Sequence, residues 1–317
     1  MTTAWLFPGQ GSQYVGMGKD VLAVSSAARA VFERVDVALD EPLSKTILEG
    51  PEAELTITAN AQPAILAMSC AVLAALRERK PDLPLPAFAA GHSLGEYSAL
   101  VAADALTLED AVRLVRARGR AMQEAVPQGA GAMAAIIAMD QNRLQELCAQ
   151  VAQGEGGVVS PANFNAPGQI VIAGQAHAVA RVGELAAAEK ARVIPLKVSA
   201  PFHCALMAPA ARALGGELER IVIRPLRFPV VANFDARPNA DPTRVRSLLV
   251  RQVDGVVRWE DSVRAMAEAG VTRALEIGPG KVLAGLVKRI AKDVAVMSVG
   301  DATSLDQVSG FLAGSRL

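Results

Sequence analysis

The chain is poor in aromatic residues, in cysteine and in any excess of one charge, and each shortage narrows what it can be. Phenylalanine, tryptophan and tyrosine make up 4% of its 317 residues, while hydrophobic residues make up 51%. A core built mainly from small aliphatic side chains describes a soluble α/β protein rather than a disordered or disulfide-stapled one. The length suits one large domain carrying an insertion, or two domains of unequal size. Lysine plus arginine balance aspartate plus glutamate at 32 each. That balance argues against bulk binding to nucleic acid or membrane surfaces, although a local basic patch stays open. The three cysteines, Cys70, Cys148 and Cys204, are odd in number and lack C-x-x-C spacing. Neither a disulfide framework nor a metal site is expected, and a reducing, cytoplasmic setting fits. The first residues, Met1–Phe7, have no basic stretch and run into Pro8-Gly9, so they read as a core strand instead of a signal peptide. The longest apolar run, Pro63–Leu76, is too short to span a bilayer and reads as a buried helix. We find no internal repeat and no low-complexity linker.

What is present is a serine bracketed by glycines. Gly91-His92-Ser93-Leu94-Gly95 fits the G-x-S-x-G pattern, in which a sharp strand-to-helix turn pushes the serine Oγ outward. Around it the sequence reads strand Ala4–Phe7, the turn "PGQGSQ", helical segments beginning near Tyr14 and Ser25, strand Ala87–Gly91, and a helix from Thr107 to about Ala125. Thr107 is the expected N-cap of that helix. Strand, turn and helix in this order are the syntax of a parallel α/β sheet.

Between residues 129 and 199 the pattern changes to β-α-β-β-α-β, the ferredoxin-like order. We read it as a small subdomain inserted into a large one formed by residues 1–128 and 200–317. "PVVANFD", "RALEIG" and "VAVMSV" read as further strands of the large subdomain, separated by helices near 241–252, 261–269 and 281–290.

A nucleophilic serine needs a base, and histidine is the usual one. Only three histidines exist. His92 adjoins Ser93 and should project to the opposite side, and His177 opens a helix of the insertion as a surface residue. His203, in "SAPFHCAL" where the insertion rejoins the large subdomain, is left as the candidate base. No third triad member is marked: Asp235, Asp254 or a backbone carbonyl could orient the imidazole. Cys204 reads as a small buried residue. On the helix after Ser93, Arg118 has only Leu114, Val115, Ala121 and Met122 at spacings of three and four. A guanidinium held there needs an anion, supplied by an internal carboxylate or by a substrate carboxylate. "PGQGSQ" and "GPGK" match no phosphate-binding motif and read as tight turns. The backbone amides of Gln10 and Leu94 could form an oxyanion hole at the strands' C-terminal edge.

Taken together, "FPGQGSQYVGMG", "GHSLGEYSAL", "RGRAMQEAVPQGAGAMAAI", "SPANFNAPGQIVIAG", "APFHCALMAPAA", "LVRQ" and "LEIGPGKVLAGLVKRI" resemble the malonyl-CoA:acyl carrier protein transacylases, including stand-alone acyltransferases of polyketide synthesis. The resemblance runs in order from the first strand through Ile290. It implies an α/β-hydrolase-like large subdomain with a ferredoxin-like small one. It also implies malonyl-CoA and an acyl carrier protein as partners, no bound cofactor, and a monomer. Carried over by motif, Ser93 would be the nucleophile, His203 the general base and acid, and Arg118 the clamp on the malonyl carboxylate. Gln10 and Leu94 would supply oxyanion-hole amides, and Gln252 would orient His203 through its backbone carbonyl. Downstream of Gln252, "VDGVVRW" departs from the family's usual asparagine-proline. Phe202 stands where the family commonly has phenylalanine when malonyl is selected. Carrier proteins are acidic, so Lys281, Lys288, Arg289 and Lys292, with Arg192 expected nearby, form a candidate docking patch. The alternative reading is a serine esterase or thioesterase on the same turn; a non-enzymatic binding module fits Ser93, His203 and Arg118 less well.

Overall fold

The computed structural model describes residues 2–154 and 156–314. The chain opens with β1 (Thr2–Phe7), α1 (Lys19–Val24), α2 (Ser26–Leu39), α3 (Leu43–Glu49), α4 (Glu52–Thr56) and α5 (Thr58–Arg79), followed by β2 (Phe88–Gly91), α6 (Gly95–Ala102) and α7 (Leu108–Glu124). The middle segment is β3 (Gly131–Ile137), α8 (Gln141–Gly154), β4 (Val159–Ala166), β5 (Gln169–Gln175), α9 (Ala176–Ala188) and β6 (Arg192–Pro195). The rest is α10 (Ala208–Glu219), β7 (Val230–Val231), β8 (Pro238–Asn239), α11 (Pro242–Asp254), α12 (Trp259–Glu268), β9 (Val271–Ile277), α13 (Val282–Ile290), β10 (Ala295–Val299) and α14 (Ala302–Ala313).

Two sheets result. The larger has the order β10-β9-β1-β2-β7-β8, parallel throughout except for the short antiparallel edge strand β8. Its strands are buried on both faces, so β1 reads as the nearly unbroken apolar run that a covered parallel sheet requires. The smaller sheet, β4-β5-β3-β6, is antiparallel in every pairing, with α8 and α9 packed on it. Its β-α-β-β-α-β order is the ferredoxin-like one expected from the sequence.

Helix α5 runs through the centre of the large layer against α2 and α7. It is longer than the apolar run that announced it, and is long and apolar enough to cross a membrane. Nevertheless 89% of its most apolar window is buried inside the protein. Ile65, Leu66, Met68 and Leu76 are wholly covered. Truncating any one of them to alanine costs about 2–5 kcal/mol. Helix α1 begins at Lys19, later than the expected start near Tyr14, because Gly16 and Gly18 take positive φ (89° and 86°) and hold the chain in turns. "PVVANFD" forms only the two-residue β7 before the chain turns away.

At Thr107 the cap forms as expected: its hydroxyl accepts from Asp110 N at 3.0 Å. That fixes the start of α7 and so the register at which Arg118 faces inward.

Candidate active site

Strand β2 ends at Gly91, Ser93 turns the chain with φ 51°, and α6 starts at Gly95. The turn tolerates only glycine on either side. A Cβ on Gly91 would stand 1.9 Å from the carbonyl carbon of Gly95, and one on Gly95 would stand 2.1 Å from Phe7 O. The left-handed conformation at serine is strained. It is held from two directions: Ser93 N donates to Asn233 Oδ1 at 2.6 Å, and Ser93 O accepts from Gln252 Nε2 at 2.9 Å.

The imidazole of His203, a residue also at positive φ (61°), lies with Nε2 2.8 Å from Ser93 Oγ. Its Nδ1 lies 2.8 Å from the backbone carbonyl of Gln252. A carbonyl can only accept, so Nδ1 carries the proton and Nε2 presents a lone pair to the serine hydroxyl. Burial, reinforced by the positive charge of Arg118, pushes the His203 pKa down to about 3, so the ring is neutral and ready to take a proton at ordinary pH. Asp235 is paired with Arg244 at 2.9 Å, and among the described residues neither it nor Asp254 hydrogen-bonds to His203. Of the alternatives open in the sequence, the carbonyl is the one in place.

Of the other two histidines, His92 also lines the cavity around Ser93, and His177 does not. His92 Nε2 is 2.7 Å from Asn165 Oδ1, and His177 is exposed. All three cysteines are buried. Burial raises their thiols to about 12 for Cys70 and Cys148 and about 11 for Cys204, so none competes as a nucleophile.

Arg118 is only 2% exposed. Its Nη1 donates to Gln62 Oε1 at 2.8 Å, and its Nη2 to Ser93 Oγ and Gln252 Oε1, each at 2.9 Å. Every one of these acceptors is neutral. Among the described residues no carboxylate lies within ion-pair distance, and Nε has no hydrogen-bond partner. Desolvation lowers the Arg118 pKa, but a guanidinium starts so high that it keeps its charge. The site thus holds a buried cation that touches the serine oxygen and contacts no carboxylate; Glu96 acts on it only from beyond the Gln252 amide.

Ser93, Arg118, His203 and Gln10 line one cavity of about 370 Å³ that opens between the two sheets, with Phe202, Met133 and Val171 as its apolar wall. Gln10 donates through its side chain to Thr58 Oγ1 at 3.2 Å. Among the described residues the backbone amides of Gln10 and Leu94 donate to no protein acceptor, which leaves them available to a developing oxyanion.

Arg192, Lys288 and Arg289 lie away from this cavity. Arg289 braces α13 against the β4–β5 hairpin: Nη2 donates to Pro167 O at 3.0 Å and Nη1 to the side chain of Gln169. Gln169 and Arg192 are both in register with Ile137 on β3, which puts Arg192 about 10 Å across the sheet from Gln169.

Three residues of the site escaped the sequence reading: Gln62, Glu96 and Asn233. Gln62 and Asn233 are each a polar side chain alone in an apolar stretch ("AQPAIL", "VVANF"), and Glu96 is the one charged residue of "LGEYSAL"; that isolation is the available signal. Burial pushes the Glu96 carboxyl up to about 7 against the hydrogen bonds it accepts.

A serine with a histidine on its hydroxyl and a buried guanidinium beside it, in a cavity that Gln10 also lines, is an arrangement suited to acyl transfer. Residues 4–307 match the family described as acyl transferase domain. The chain belongs to that family. Among its curated relatives, this acyltransferase is 47% identical over 304 residues to the malonyl CoA-acyl carrier protein transacylase of Bacillus subtilis (strain 168), covering 96% of this chain and 95% of the relative. It is 45% identical over 303 residues to the protein of that name in Escherichia coli (strain K12), covering 95% and 97%. Among solved structures, it superposes on the acyl-carrier-protein-S-malonyltransferase of Bartonella henselae with a TM-score of 0.95 at 47% identity, covering 99% of this chain and all of the other. A malonyl-transacylase solved in complex with its type II polyketide synthase acyl carrier protein superposes at 0.93 and 45% identity, covering 97% and 98%.

Proposed function

We propose that this acyltransferase moves a malonyl group from malonyl-CoA to the phosphopantetheine thiol of an acyl carrier protein through a malonyl ester on Ser93, supplying extender units for fatty acid or polyketide synthesis. The observation that carries the residue roles is the Arg118 guanidinium, buried without a carboxylate and donating to Ser93 Oγ at 2.9 Å. In a malonyl group the carboxylate stands one carbon from the acyl carbon, so a cation beside the nucleophile meets it when the carbonyl is in position to react. The esterase reading has no use for that cation, and the names of the relatives do not favour it.

In the first half-reaction His203 Nε2 takes the Ser93 proton as Oγ attacks the thioester carbonyl. The resulting oxyanion is met by the amides of Gln10 and Leu94. Collapse expels the CoA thiolate, which recovers the proton from His203. In the second half-reaction the carrier thiol gives its proton to His203 and attacks the ester, and Ser93 leaves with that proton. Incubation with malonyl-CoA and no acceptor should leave a malonyl adduct on the Ser93 peptide, read by mass spectrometry. Methylmalonyl-CoA should label it far more slowly, because Phe202 narrows the wall beside His203. An adduct on a cysteine would sink the assignment.

For the carrier we propose a surface around the exposed end of α13 and β6, including Lys288, Arg289 and Arg192. Arg289 also braces the hairpin, so Lys288 is the cleaner probe. Lys288→Glu should raise KM for an acidic carrier about two- to fivefold and flatten its salt dependence, with kcat of Ser93 acylation unchanged. Carrier kinetics that ignore this charge reversal would mean that the basic helix end is merely solvated.

A further inference from the structure

Glu96 sits in the first turn of α6, 3% exposed, and no step of the transfer uses it. Its Oε2 accepts from Gln252 Nε2 at 2.8 Å and from Asn233 N at 2.9 Å. Each of these partners in turn touches the reacting groups. The Asn233 side chain holds Ser93 N with its oxygen and donates to Gly91 O at 2.7 Å with its nitrogen. The Gln252 amide donates from Nε2 to Ser93 O and accepts Arg118 Nη2 on Oε1.

A primary amide has a donor end and an acceptor end, and its neighbours decide which way it faces. An acceptor at Glu96 draws Nε2 towards itself and so turns Oε1 to the guanidinium. The flipped amide would set oxygen against the Glu96 oxygen and NH2 against the Arg118 donors, two mismatches in a buried site.

Resting on the malonyl-transfer reading above, we propose that Glu96 is a positioning residue for acyl selection: through the Gln252 amide it fixes where the Arg118 guanidinium points, and through Asn233 it fixes the Ser93 turn. Its role is that of an acceptor. A glutamine at this position can offer one oxygen to the same two donors.

The test measures Ser93 acylation from malonyl-CoA and from acetyl-CoA in folded wild type, Glu96→Met and Glu96→Gln. Glu96→Met keeps the volume and removes the acceptor, and the malonyl-to-acetyl ratio of kcat/KM should fall about tenfold to a hundredfold, the scale of one misplaced hydrogen bond to a buried charge. Glu96→Gln should restore the ratio to within about threefold of wild type. If Glu96→Met slows both substrates equally, or if Glu96→Gln fails to restore the ratio, the proposal is overturned. Should Glu96→Met not fold, Glu96→Asp carries the test, since it draws the acceptor back by one methylene. The ratio must drop there too, and an unchanged ratio overturns the proposal. Absence of a malonyl adduct on Ser93 in the wild type would instead refute the transfer reading itself.

Discussion

Replacing Arg118 with alanine is expected to lower kcat/KM for malonyl-CoA by about a hundredfold to several thousandfold and to leave acetyl-CoA unharmed or improved. The first figure follows from removing one partner of a buried ion pair, which costs about 3–5 kcal/mol. A surface pair would contribute a fraction of that. The site is dry enough for the larger figure, because Arg118 is 2% exposed and its partners at rest, Gln62, Ser93 and Gln252, are all uncharged. The acetyl group brings no carboxylate, so the variant loses no ion pair with it, and the removal of a buried cation offsets the lost hydrogen bonds to Ser93 and Gln252. Paired kcat/KM values on folded protein decide the matter. Equal losses on both substrates would show that Arg118 supports the architecture of α7 and α5 and does not read the acyl group.

The second large effect is expected at His203. His203→Ala should slow Ser93 acylation by about a hundredfold to ten-thousandfold, the range that positioned proton transfer contributes. The wild-type pH profile adds a sharper check. The folded-state pKa is depressed to about 3 by burial and by Arg118, so the base stays neutral as pH falls through the range where an ordinary histidine would protonate. Inactivation of Ser93 by a neutral serine-directed reagent should therefore hold its rate from about pH 8 to pH 5, with the acid limb lying below. A limb centred near the ordinary histidine value would mean that the ring is solvated in the free enzyme and that its low pKa has no part in catalysis.

The parts of this site that announce themselves in the sequence are those whose chemistry needs a particular side chain. Gly91 and Gly95 are legible because no other residue fits beside Ser93, and His203 is legible because the chain offers so few histidines. The ferredoxin-like segment is legible because the strand and helix periods alternate cleanly between residues 131 and 195. The groups that remain hidden act through the backbone or from far along the chain. The residues alone leave the imidazole's partner open, because a carbonyl is common to every position; only the family resemblance pointed to that of Gln252. Asn233 reaches Ser93 across 140 residues of sequence, and no local spacing encodes that meeting. That no carboxylate among the described residues contacts Arg118 is likewise a property of what folds around it. Its helical neighbours show that it is buried, but they cannot show that the groups it donates to, Gln62, Ser93 and Gln252, are all neutral. The late start of α1 and the brevity of β7 come from turns whose geometry outweighs the local periodicity.

Ser93 and His203 both stand at positive φ, 51° and 61°, in a region that side chains other than glycine occupy at a cost of about 1–3 kcal/mol each. Both reactive positions are therefore held in strained backbone. Heat denaturation should expose this as an inversion: Ser93→Gly should melt above Ser93→Ala, although both lack the hydroxyl and glycine ordinarily ranks below alanine. If alanine melts higher, the turn carries no stored tension. Otherwise, improving this enzyme's heat resistance by substitution at its two most reactive positions would trade away the activity itself.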